Sequence, residues 1–69
     1  MTEIQELDII VKGQPDGQWT IHQRHEESEP LIAGPFELRT DAETRAQKIA
    51  KIIGRDAFEE VTPGVWQKL

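Results

Sequence analysis

Two histidines three residues apart, His22 and His25, run directly into Glu26, Glu27 and Ser28 in the stretch "HQRHEES". Imidazoles and carboxylates at close spacing are metal ligands, and a serine near a histidine is the beginning of a nucleophile–base pair. Neither chemistry is carried further by the surrounding residues. "QWTIHQR" alternates apolar and polar positions as a strand does, and on a strand residues three apart point to opposite faces, so the two imidazoles diverge. Ser28 is the sole serine, and the glutamates around His25 supply no oxyanion hole. Glu59 and Glu60 are adjacent, which on a strand turns them to opposite sides. A chain of 69 residues also leaves little room for a water-excluding pocket of the usual ~300 Å³ or more. The expectation is a non-enzymatic protein with no catalytic residue, no metal site and no cofactor.

Charge is the next candidate for function. The chain carries 13 acids against 8 Lys and Arg. Residues 1–34 hold seven of the acids (Glu3, Glu6, Asp8, Asp16, Glu26, Glu27, Glu29) against Lys12 and Arg24, and residues 35–69 hold six of each sign. The net negative charge therefore belongs to the first half. Glu6, Asp8, Glu26, Glu27 and Glu29 form a candidate acidic surface for a partner with a basic patch. In the second half Arg45, Lys48, Lys51 and Arg55 fall within roughly 120° of one helical circumference, a candidate basic surface. Ile10, Trp19 and Trp66 are candidate apolar contacts, Ile10 because its parity with Lys12 turns it away from the helix-covered side of a sheet.

These residues need elements to hold them. "ELDIIVKG" and "QWTIHQR" alternate about "GQPDGQ", where Pro15, Asp16 and Gly17 suit a turn, and together they predict a β-hairpin. "LIAGPFELR" predicts a third extended segment, interrupted by Gly34-Pro35 and so suited to a bulged or edge position. "TDAETRAQKIAKIIGR" predicts a helix with Thr40 as N-cap, Glu43 completing a T-x-x-E capping box, and Gly54 as terminator. Ala42, Ala46, Ile49, Ala50 and Ile53 share its apolar face, with Ile52 at the edge. "DAFEEV" and "VWQKL" about Thr62-Pro63-Gly64 predict a second hairpin. The fold class expected is α+β: a small antiparallel sheet of order β-β-(β)-α-β-β with one amphipathic helix packed on one face, forming a single domain over residues 1–69. Its 19 large apolar residues make one thin core with no Cys to staple it. No apolar run reaches the ~18 residues of a membrane span, and the acidic N-terminus lacks a basic leader start. A cytoplasmic protein is expected.

The pattern V-x-G-x-P-D-G-x-W-x-I, F-x-L-x-T-x-A-E, A-x-x-I-A and T-P-G-V-W resembles a group of small bacterial and phage ββαββ domains of unknown function. Asp16, Gly17, Trp19, Phe36, Thr40, Ala42, Ala46, Ile49, Ala50 and Gly64 carry the likeness, which covers most of the chain. The connection "HQRHEESEPLIAGP" is longer and more acidic than that pattern. The resemblance implies the same fold and no catalytic residues.

The function expected is a protein-interaction module binding through the acidic hairpin, the basic helix face or both. An inhibitor of phage or mobile-element origin that imitates nucleic acid is the alternative. Direct nucleic-acid binding through the helix comes third, because a net charge of −5 opposes phosphate neutralisation. Opposite charged poles and sheet edges also make a homodimer an expectation.

Overall fold

The computed structural model describes residues 4–69. Strand β1 (Ile9–Gly13) and strand β2 (Trp19–Gln23) pair antiparallel, closed by a turn in which the Gln18 N–H donates to Asp16 Oδ1 at 2.9 Å and Gly17 takes a φ of 85°. β3 (Leu31–Phe36) pairs with β2 through two register shifts. One of its residues must be glycine: Gly34 has a φ of 113°, and a Cβ there would stand 3.1 Å from the Trp19 carbonyl oxygen. The third strand expected at an edge is therefore present, bulged where Gly34-Pro35 interrupts it.

Helix α1 (Arg39–Ile53) then carries the chain over the sheet to β4 (Ala57–Thr62), which turns back into β5 (Val65–Lys68). The sheet order is β3-β2-β1-β4-β5. β4 lies parallel to β1, so the sheet is mixed and not wholly antiparallel as expected. The reason is topological. Two reversals make β3 run in the direction of β1, and a helix returning to the starting end launches β4 in that same direction. The α+β class stands.

The helix begins one residue before the expected cap. Leu38 occupies the N-cap without a side-chain bond, so Thr40 and Glu43 form no capping box. Glu43 is held elsewhere, accepting from Arg39 Nε at 3.2 Å, and this i, i+4 pair favours an added residue at the start. The far end is as expected: Gly54 is left-handed at φ 74°, and its N–H and that of Arg55 both reach the Ala50 carbonyl.

Ala42, Ala46 and Ala50 are buried against Ile9, Val11, Ile21 and Ala57, with Trp19, Ala33, Phe36, Ile49 and Leu69 packed around them. Three small side chains let the helix lie close to the strands. Ile53, expected on this face, is half-exposed, and Ile52 is 75% exposed; both belong to the last turn, beyond Ala50, where cover runs out.

The opposite sheet face is covered too, by charged side chains. Parity places Asp8, Ile10, Lys12, His22, Arg24, Phe58, Glu60 and Trp66 there. Ile10 and Phe58 are nevertheless 0% and 1% exposed. The Glu29 carboxylate pairs with both Lys12 and Arg24, and the Arg24 guanidinium lies 5.3 Å from the Trp66 ring centroid. These groups bracket Ile10 and Phe58 from β2 across to β5.

Candidate functional site

The acidic set is only partly a surface. Glu6, Glu26 and Glu27 are exposed. Asp8 is buried: its Oδ2 accepts from the Gln5 N–H at 2.8 Å and its Oδ1 from the Asp56 N–H at 3.2 Å. It ties the segment before β1 to the start of β4 and offers nothing to a partner. Glu29 is half-buried, its carboxylate occupied by Lys12 and Arg24. Two of the five candidates are thus internal, and Glu3 lies outside the described residues. Long-range pairing, invisible in local spacing, is what withdraws them.

The apolar set is withdrawn for a similar reason. Ile10 is fully buried and cannot be a contact. Trp66 has its face under Arg24. Trp19 belongs to the helix-side core, with Arg39 5.8 Å from its ring centroid and Gly13 so close that a Cβ there would stand 3.0 Å from the ring. Each tryptophan meets an arginine of its own chain.

The two histidines have different hydrogen-bond partners, and His25 lies beyond the end of β2. His22 Nδ1 donates to the Glu29 carbonyl at 2.8 Å, and its Nε2 lies 2.8 Å from the Thr20 hydroxyl. His25 Nε2 lies 3.2 Å from Gln23 Oε1. Among the described residues no group of three or more His, Asp or Glu side chains is placed to hold a metal ion.

The basic set is different. Arg45, Lys48, Lys51 and Arg55 are all exposed, and among the described residues none is in an ion pair. The core alanines fix which side of α1 faces the sheet; Arg45, Lys48 and Lys51 fall on the remaining circumference, while Arg55, expected on the same helix face, lies just beyond it because left-handed Gly54 ends the helix. Arg45 and Lys48 border a groove of about 430 Å³ with Phe36, Asp41 and Thr44 on the β3 side. Lys51 and Arg55 border another of about 210 Å³ on the β5 side, with Gln47, Asp56, Lys68 and Leu69 among its walls. The helix therefore presents one cationic crest with two shoulders.

One cluster escapes local reading. Glu59 is 3% exposed on the helix side of β4, and both Nε and Nη2 of Arg39 donate to its Oε1, at 3.1 and 2.8 Å. Burial and the neighbouring Glu43 carboxyl push the Glu59 carboxyl above the ordinary value of 4.5, and Arg39 only partly opposes this. Glu59 in return raises the already high pKa of Arg39. A signal existed: in "DAFEEV" Glu59 shares parity with Ala57, and a charge on the core side of a strand requires a counter-charge. Arg39, four residues before Glu43, was the available cation. The arrangement pins the start of α1 to β4.

No helix among the described residues is long and apolar enough to cross a membrane. Comparison of the chain with protein-family models, with curated proteins and with solved structures gives no match.

Proposed function

We propose that this protein is a non-enzymatic interaction module that binds an acidic partner protein through the outer face of α1. One observation carries the reading. All four of Arg45, Lys48, Lys51 and Arg55 stand exposed without an ion-pair partner among the described residues, whereas of the candidate acids only Glu6, Glu26 and Glu27 do, and Asp8, Glu29, Ile10, Trp19 and Trp66 are engaged inside the fold. Free charges steer encounter and select partners of opposite sign; charges already paired do so far less.

The choice of an acidic protein over nucleic acid follows from the field of the whole molecule. Exposed Glu26, Glu27 and Glu6 and a net charge of −5 repel a long phosphate backbone, while a local acidic segment on a protein meets the crest alone. Imitation of nucleic acid by the hairpin has less support than the spacing of its acids implied, since a buried Asp8 and a paired Glu29 interrupt the row.

Affinity capture from the source cells tests the reading, with the wild-type chain, Lys48→Glu/Lys51→Glu and Glu26→Lys/Glu27→Lys as baits. A partner held by the wild type and the hairpin variant but lost from the helix variant is the expected result. Loss from the hairpin variant alone returns the acidic surface to first place.

A further inference from the structure

β5 is an edge strand, and its outer side is paired with no described residue. One bond shows how its main chain is turned. The Leu69 N–H donates to the Ala57 carbonyl at 2.9 Å. In an antiparallel pair, residues facing the partner alternate with residues facing away, so Trp66 and Lys68 present their N–H and C=O groups to the open side. β5 is short, ends in Lys68 and shares one register shift with β4, but Val65–Lys68 contains no proline, whereas the opposite edge, β3, carries Pro35 and two register shifts. Prolines and bulges protect edges from added strands. Of the two edges, β5 is the one left ready to pair.

Cations gather at one end of it. Lys51, Arg55 and Lys68 border the groove beside Leu69. Lys68 stands opposite Phe58 in the register, and exposed Asp56 lies 3.6 Å from it. An added strand would turn alternate side chains toward each face, and this end of the edge favours carboxylates. Exposed Val65 at the other end suits an apolar residue.

We infer that β5 accepts an extended acidic segment of the partner protein as a sixth strand of the sheet. The segment's carboxylates meet Lys51, Arg55 and Lys68 at the Leu69 end. Main-chain bonds to Trp66 and Lys68 supply affinity, and the cations select sequence. This inference rests on the reading of the α1 crest as an acid-binding face and adds the mode of binding. A second copy of the chain is the less favoured occupant, because β5 against β5 brings Lys68 of both copies to one seam.

The test uses the full chain and a fluorescent alternating Glu-Val peptide, with a Lys-Val peptide and an unstructured oligoglutamate as comparisons. The Glu-Val peptide should bind and weaken as salt rises from about 50 to 300 mM. The Trp66 and Lys68 amides of the wild type should gain hydrogen-exchange protection on binding. Lys68→Pro, which removes an outward N–H and no ladder bond, should cost about tenfold in affinity, and Lys68→Gln about two- to threefold. Lys51→Glu/Arg55→Glu should abolish binding. Unchanged protection at Trp66 and Lys68, equal binding of the Lys-Val peptide, or pairing of β5 with a second copy each overturns the inference. Oligoglutamate binding that depends on the crest but not on β5 removes strand addition and leaves the proposed function standing, so the two failures are distinct.

Discussion

The Arg24 guanidinium at the end of β2 lies 5.3 Å from the ring centroid of Trp66 on β5, with β1 and β4 between them. The contact runs diagonally, because Arg24 is level with Asp8 and Trp66 with Lys12, and Ile10 and Phe58 occupy the row between. A sheet with one helix thus closes its second face with an arginine, an indole and a bridging glutamate.

Trp66→Ala should expose Ile10 and Phe58 and cost about 2–3 kcal/mol, while Arg24→Ala should cost about 1 kcal/mol through the lost cation–π and packing contacts. Urea denaturation measures both, and binding of a hydrophobic dye should rise in the Trp66 variant. Wild-type stability and no added dye binding would mean that the indole is not the cover.

Glu59 has a folded-state pKa raised above 4.5, chiefly by burial and then by Glu43. The native state therefore holds this proton to higher pH than the unfolded chain does. Stability from this group is greatest below the unfolded value and declines as pH rises through the raised folded value. Glu59→Gln removes the ionisation and keeps an acceptor for Arg39. The stability of the glutamine variant relative to wild type should improve as pH rises from about 4 to 7. A difference that stays flat, or moves the other way, would show that the Arg39 pair dominates.

Asp8 tests the assignment of acids to structure or surface. Asp8→Ala should cost about 2–3 kcal/mol, since it removes a charged acceptor from the N–H groups of Asp56 and Gln5. Glu26→Ala should change stability by less than about 0.5 kcal/mol. Thermal unfolding of the two variants separates them; equal midpoints would return Asp8 to the surface.

Five strands and a helix were legible because alternation, turn residues and a helical apolar stripe are local signals. "GQPDGQ" closed its hairpin as read, and Ala42, Ala46 and Ala50 lie where the 3.6-residue period put them. What could not be read was who meets whom. The parallel pairing of β1 with β4 joins residues 48 positions apart, as Ile9 and Ala57 show. Parity puts Ile10 on the face away from the helix but does not say whether that face is covered, and Ile10 is fully buried on the face it shares with Arg24 and Trp66. Thr40 looked like a cap because its spacing to Glu43 is right, yet Arg39 holds Glu43 instead. Arg45, Lys48 and Lys51 were legible, since a free side chain is described by its own helix alone, whereas Arg55 falls past the Gly54 terminus and Arg39 is paired across to β4.

That last contrast is open to one direct measurement: fluorescence anisotropy of labelled oligoglutamate and oligolysine probes against the wild type, Lys48→Glu/Lys51→Glu and Glu26→Lys/Glu27→Lys at low salt. The account predicts that the wild type binds oligoglutamate, that the helix substitutions abolish this, and that the hairpin substitutions leave it intact or strengthen it. Preferential capture of oligolysine, lost with the hairpin substitutions and indifferent to those on the helix, would contradict it.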